Sequence, residues 1–147
     1  MISDLIISLK IQHVSSELNG FLLIANLRDV SLVKLGSTDH ETIIPDQRNA
    51  VGVDFDFDTG FIYWTDKLSH KIQRAHVNNS RNIEMVLDDG LSSPEGLAVD
   101  WVNKKLYWTD PGTDVVGVAD FDGNSLMNLI TTGLTSPRAI VVHPLIG

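Results

Sequence analysis

Tyr63-Trp64-Thr65-Asp66 returns in the same order at Tyr107-Trp108-Thr109-Asp110, 44 positions later. The same offset relates Gly52 to Gly96, Asp56 to Asp100 and Ala75 to Ala119, and sets Ile62 against Leu106 and Ile72 against Val116. With one residue dropped, Leu91-Ser92-Ser93-Pro94 recurs as Leu134-Thr135-Ser136-Pro137, and Val99 as Val142. Strand-like segments repeating at roughly 40 to 45 residues are the signature of radially arranged β-sheet blades. In a strand, Tyr63 and Thr65 point to one face and Trp64 and Asp66 to the other, so both rings are buried only if both faces are covered. Blades stacked face to face meet that requirement. A buried Trp or Tyr needs a partner for its N–H or O–H, and Thr and Asp at a strand end can satisfy backbone donors nearby. The repeated motif residues, with Asp56 and Asp100, therefore read as architecture.

Working outward, residues 51–56 alternate apolar with small or acidic side chains, Asp58-Thr59-Gly60 turns the chain, and residues 71–77 and 83–87 follow as strands around the turn Asn78-Asn79-Ser80. The next unit repeats this plan over residues 96–101, 106–109, 115–121 and 126–130, with turns at Asn103-Lys104 and Asp122-Gly123-Asn124. Such pairs tolerate positive φ, as tight hairpins require. Upstream, Phe21-Leu22-Leu23-Ile24-Ala25-Asn26 stands where a motif strand falls, with strands at residues 30–35 and 41–44 after it. Residues 1–20 carry no repeat and read as an N-terminal extension that pairs as a strand or stays loosely attached. The repeats run over about residues 21–50, 51–93 and 94–136, and a further unit begins at 137–147 with a strand at 139–142. No segment sustains a period near 3.6, so the expected class is all-β: about three four-stranded antiparallel blades of a propeller.

Composition limits function. The 147 residues are 43% hydrophobic, enough for a core, and 11 Lys+Arg against 19 Asp+Glu give a net charge of −8. That field repels phosphate backbones, so nucleic acid is excluded as an expected partner. With no cysteine there is neither a disulfide staple nor a thiolate metal site. Leu5-Ile6-Ile7 lies between Asp4 and Lys10, and no apolar run reaches 18 residues, which fits neither a signal peptide nor a membrane-spanning helix.

Gly96-Leu97-Ala98-Val99-Asp100-Trp101 before the second motif, and Ala119-Asp120-Phe121-Asp122-Gly123 after it, complete a pattern that resembles the class B repeats of the low-density lipoprotein receptor family. The lead-in at residues 21–26 is similar to the opening of the first blade in its receptor-related members, and Ser136-Pro137-Arg138-Ala139-Ile140 with His143-Pro144 resembles the corresponding strand of members of the related-protein-4 type. The resemblance implies a six-bladed propeller in an extracellular, non-enzymatic receptor of endocytic or signalling type, Wnt-pathway or synaptic kinds included. Loops on one face of it would bind secreted proteins or other receptor domains. No cofactor is expected. Six units close such a ring and this sequence supplies pieces of four, so a segment of a larger receptor is expected, on the outer side of the plasma membrane.

Loops that follow equivalent motif strands share one face of the ring, and their differing sequences suit specificity. Lys67, Leu68, Ser69 and His70 form one, and Pro111, Gly112, Thr113 and Asp114 the other. Counting three, four, four and one strands suggests a second arrangement, in which residues 139–142 complete the opening three strands of another copy in a strand-exchanged homodimer. Asp54-Phe55-Asp56-Phe57-Asp58 has the alternating acids of a calcium loop, but Thr59 stands at the obligatory glycine and Thr65 at the bidentate glutamate, so it reads as a strand edge and turn. Asn78-Asn79-Ser80 is a glycosylation sequon on an expected turn. His13, His40, His70, His76 and His143 lack metal-ligand spacing; His70 and His76, near the motif strand, could titrate usefully in a receptor that releases ligand in acid. The alternatives are a metal-dependent hydrolase of six-bladed type, using Asp56 and Asp100, and a basement-membrane adhesion protein with the same propeller.

Overall fold

The computed structural model describes residues 6–14 and 17–144. Residues 1–5 and 15–16 of the expected extension and residues 145–147 of the last unit lie outside the described residues. Among the described residues, twelve strands make three four-stranded antiparallel meanders. The first contains β1 (Ile6–Val14), β2 (Glu17–Ala25), β3 (Val30–Lys34) and β4 (His40–Ile44). The second contains β5 (Ala50–Asp56), β6 (Phe61–Asp66), β7 (Lys71–His76) and β8 (Asn79–Leu87). The third contains β9 (Leu97–Asp100), β10 (Lys105–Asp110), β11 (Val115–Asp120) and β12 (Met127–Ile130).

Two strand expectations need correction. The opening sheet has four strands instead of three, because β1 pairs along the whole of β2, from Ile6 against Ala25 to Val14 against Glu17. Residues 139–142 are not in a strand, since none of the three sheets extends to them. The edge that the strand-exchanged homodimer requires is therefore occupied within the chain itself. A smaller shift concerns the sequon: the hairpin turn is at Val77 and Asn78, and β8 already begins at Asn79.

Among the described residues the core lies in two slabs, each squeezed between neighbouring sheets. Leu23, Ala25, Val30 and Ile44 of the first sheet meet Val53, Phe55, Ile62, Trp64 and Ala75 of the second. Tyr63, Ile72, Val86 and Leu87 on the other side of the second sheet meet Leu97, Val99, Leu106, Trp108 and Ala119 of the third. Tyr63 and Trp64, adjacent in sequence, thus serve opposite slabs, as the period-2 geometry of a strand requires, and both are fully buried. The indole of Trp64 donates to Gln47 Oε1 (2.9 Å). Tyr63 packs against Phe121 of the third sheet, ring centroids 5.2 Å apart. Burial pushes its phenol above the usual value, and a hydrogen bond with Arg74 partly offsets that. Arg74 extends the tie by donating from Nη1 to Phe121 O (3.0 Å) and from Nε to Glu84 (2.8 Å).

The motif threonine sets how closely adjacent sheets approach. Thr65 Oγ1 accepts from Gly52 N and donates to Glu95 O, both at 2.8 Å, joining β5, β6 and the segment entering the third sheet. One repeat on, Thr109 Oγ1 accepts from Gly96 N (2.9 Å) and donates to Arg138 O. A Cβ on Gly52 would collide with Glu95 O, and one on Gly96 with Arg138 O, so glycine here admits the backbone of the next unit.

Candidate ligand-binding face

The repeated aspartate builds the end of the sheets at which the two candidate loops lie. Asp66 Oδ2 accepts from Arg48 N (2.9 Å) and Asn49 N (3.1 Å), in the connection from β4 to β5, while Oδ1 accepts from Ser69 N (2.9 Å) in the loop after β6. Asp110 repeats the device on Ser92 N (2.7 Å), Ser93 N (2.9 Å) and Gly112 N (3.0 Å). A single buried carboxylate thus clamps the loop that leaves its strand to the connection that enters its sheet. Burial alone would raise the Asp66 carboxyl; the bonds from Ser69, Asn49 and Arg48 outweigh it and hold the group below its ordinary value.

The structure places the expected loop residues after equivalent strands, at one end of the sheets. His70 and Asp114, 44 residues apart, have φ of 57° and 54°, so the two loops end on the same left-handed backbone and differ in side chains. Leu68 is 53% exposed, and His70, Gly112, Thr113 and Asp114 are exposed too. Lys67, Ser69 and Pro111 are half-buried. His70 Nδ1 contacts Ser92 O of the neighbouring connection, and Asp114 Oδ1 accepts from Ser136 N (2.7 Å), so each loop also braces the next unit. The exposed positions of the two loops are accordingly Leu68 and His70 in the first and Gly112, Thr113 and Asp114 in the second.

Sequence reasoning missed Glu95, the most consequential group at this end. It is 3% exposed, with Oε1 2.6 Å from Lys67 Nζ and Oε2 3.0 Å from Arg138 Nη1. A buried carboxylate between two cations is an integral part of the packing, because removing either partner leaves charge uncompensated. The signal was present: Pro94-Glu95-Gly96 recurs as Pro137-Arg138-Ala139, so one repeat position carries opposite charges in successive units. Only folding shows that these two positions touch.

The other candidates sort by geometry. Asp56 is fully buried and accepts from Thr59 Oγ1 (2.6 Å) and Asp58 N (3.4 Å), with Lys104 Nζ 3.5 Å away. Asp100 accepts from Val102 N (3.1 Å), Asn103 N (2.9 Å) and Asn103 Nδ2 (2.8 Å). Burial raises the Asp100 carboxyl, but the Asn103 and Val102 bonds prevail and lower it. Both aspartates therefore close turns at the end opposite the candidate loops. Asp54 accepts from Phe55 N (2.9 Å) and Val99 N (2.7 Å), which ties the second sheet to the third. Among the described residues no three His, Asp or Glu side chains group as metal ligands. His76 stacks edge-on against Phe61 (5.5 Å), and its Nδ1 accepts from Asn78 N (3.2 Å). Asn78 itself is exposed on its turn.

The family described as low-density lipoprotein receptor repeat class B matches residues 60–101 and 104–144, more than half of the chain. The chain belongs to this family. Low-density lipoprotein receptor-related protein 5 of Mus musculus is 40% identical over 137 residues, covering 91% of this chain and 8% of that protein. Low-density lipoprotein receptor-related protein 8 of Gallus gallus is 36% identical over 107 residues, covering 71% of the chain and 12% of that protein. Among solved structures, one from a nidogen/laminin complex superposes with a TM-score of 0.77 at 28% identity, over 84% of this chain and 49% of that one. Class B repeats in receptor-related relatives and a β-propeller neighbour agree with the all-β propeller expected from the 44-residue period. The chain spans a small part of its curated relatives and about half of the nidogen-complex chain. Among the described residues no helix is long and apolar enough to cross a membrane.

Proposed function

We propose that this chain is a non-enzymatic, protein-binding part of an extracellular receptor propeller, which recognises a secreted protein through the end carrying Leu68, His70, Thr113 and Asp114. The observation that carries this reading is the pairing of loop shape with loop difference. Asp66 and Asp110 each clamp the loop that follows, through Ser69 N and Gly112 N, and both loops end on a left-handed residue, His70 and Asp114, while the exposed side chains differ from one unit to the next. A rigid frame with variable tips is what recognition of a partner requires. Likeness to receptor-related proteins 5 and 8 supports an address on the outer side of the plasma membrane and an endocytic or signalling parent. The hydrolase alternative has little support, since Asp56 and Asp100 already accept from the donors of their own turns. The likeness to the nidogen-complex chain favours one second reading, adhesion within basement membrane. Asn78, exposed on the turn before β8 at the opposite end, would carry an N-linked glycan clear of the recognition loops.

The test is biolayer interferometry of the immobilised chain against laminin and a panel of secreted ligands of receptor-related proteins. Leu68→Asp and Thr113→Lys should each weaken the bound partner at least about tenfold, with melting temperature unchanged. Laminin binding alone would select adhesion over a receptor role. Binding indifferent to both substitutions would remove the loops from the site.

A further inference from the structure

Two Asp-Gly pairs, Asp89-Gly90 and Asp122-Gly123, stand as equals in the sequence. In such a pair the side-chain carboxyl is open to attack by the next backbone nitrogen, because glycine has no Cβ to block the approach and bends freely. The fold separates the two. Asp122 is engaged through both oxygens, Oδ1 accepting from Asn124 N (3.1 Å) and Oδ2 from Asn124 Nδ2 (2.8 Å). Gly123 N donates to Asp120 O (2.9 Å), and a Cβ on Gly123 would collide with Val86 O, so this residue is wedged against the second sheet. Nitrogen and carboxyl are held on different partners, and bringing them together means breaking the turn.

Asp89-Gly90 is the opposite case. It lies in the connection from β8 to β9, at the end of the sheets that carries the candidate loops, and residues 88–90 are all exposed. Gly90 N donates to Asp89 Oδ1 itself (2.9 Å), so the carboxyl is folded over the nitrogen that would attack it. Gly90 has φ of 71°, and the space beside its Cα is open. The connection is anchored on either side of the pair: Leu87 is buried at the end of β8, and Asp110 holds Ser92 N and Ser93 N.

We propose that Asp89 is a site of spontaneous isomerisation to isoaspartate, from which the fold protects Asp122. The Gly90 nitrogen attacks Asp89 Cγ; the N–Cγ bond forms, the nitrogen gives up its proton and the neutral carboxyl gives up its hydroxyl, so water leaves and a cyclic succinimide remains. Water then opens the ring. Cleavage at Cγ restores aspartate. Cleavage at the backbone carbonyl leaves the main chain running through Cβ and Cγ, longer by a carbon, with the former backbone carbonyl as a free carboxylate. Only water is exchanged, and the mass returns to its starting value. Because the next anchored residues, Ser92 and Ser93, belong to the Asp110 clamp, the lengthened segment falls at the loop end, whatever that end binds.

Peptide mapping after prolonged incubation in slightly acidic buffer at physiological temperature tests it, on the chain kept native and on the chain in guanidinium chloride. Trypsin releases Asp89 within residues 82–104 and Asp122 within residues 106–138, and electron-transfer fragmentation places the isoaspartate. Asn19-Gly20, the amide counterpart, lies inside β2, and any change there falls in a separate peptide, residues 11–28. In the native chain isoaspartate at position 89 should exceed that at 122 by about tenfold or more, and in denaturant the two should come within about threefold. Asp89→Glu, which keeps the charge, should leave residues 82–104 unmodified with an unchanged melt. Equal accumulation at both pairs in the native chain overturns the proposal, as does isomerisation of Asp89 in denaturant alone, or isoaspartate persisting in residues 82–104 of Asp89→Glu.

Discussion

Replacing Asp66 by Asn isolates the charge of the motif aspartate while keeping its shape. The carboxylate holds Arg48 N, Asn49 N and Ser69 N at 2.9, 3.1 and 2.9 Å. An amide retains one acceptor, so if its oxygen faces Arg48 and Asn49, its NH2 confronts the N–H of Ser69. One bond is lost, about 2 kcal/mol, and two fall from charge-assisted to neutral strength, about 1 kcal/mol each. The loop sits at the surface, and water can relieve part of the loss, so the net cost should be about 3 kcal/mol. A domain of this size has about 5–15 kcal/mol in all, and the melting temperature should drop by about 10 °C. The assay is equilibrium urea unfolding followed by tryptophan fluorescence, since Trp64 and Trp108 are buried at 0% and 2% exposure and will report loss of packing. Asp88→Asn, at an exposed position, is the control and should stay within about 0.5 kcal/mol of the parent. If Asp66→Asn behaves like that control, the clamp is not what organises the loop end, and the reasoning fails.

Four further outcomes are expected. Gly117→Ala should destabilise by about 1–3 kcal/mol, because a Cβ there would collide with the Trp108 ring across the strand pair; a near-neutral urea midpoint would show that the ring can shift. Acid should destabilise the chain through Asp66 and Asp100: both carboxyls are lowered in the folded state, so their contribution is present above the ordinary value of 3.8 and lost as pH falls through their folded values. The urea midpoint should therefore fall below about pH 4, and less steeply for Asp66→Asn. His76→Ala removes the acceptor for Asn78 N, so hydrogen exchange at that amide should speed up relative to the parent chain at the same pH, and unchanged protection would show that the bond does not hold the turn. Secreted from a eukaryotic host, the chain should lose mass on glycosidase treatment, and Asn78→Gln should abolish that change.

Some residues were fully legible before folding. Tyr63 and Trp64 had to face opposite slabs because strand geometry alternates strictly, and their return at Tyr107 and Trp108 required stacked sheets to cover both sides. Asp56 and Asp100 accept from the turns that follow them, as the residue type leads one to expect, because an aspartate at a strand end finds the next backbone N–H groups within a few residues. Glu95 was illegible by the same logic: its partners Lys67 and Arg138 are 28 and 43 residues away, and no local rule joins them.

The sequence alone determined the period, the strands and the face on which each repeated side chain lies, since these depend on local alternation and on identity at a fixed offset. Only the tertiary structure decided how the ends are met. β1 carries no trace of the repeat, yet it takes the inner edge of the opening sheet, because backbone hydrogen bonding along β2 asks for a strand and not for a motif. In the same way, residues 138–142 have a strand's pattern without a strand's partners. Whether such a segment pairs depends on which edge stands beside it in space, and that is a property of the assembled sheets.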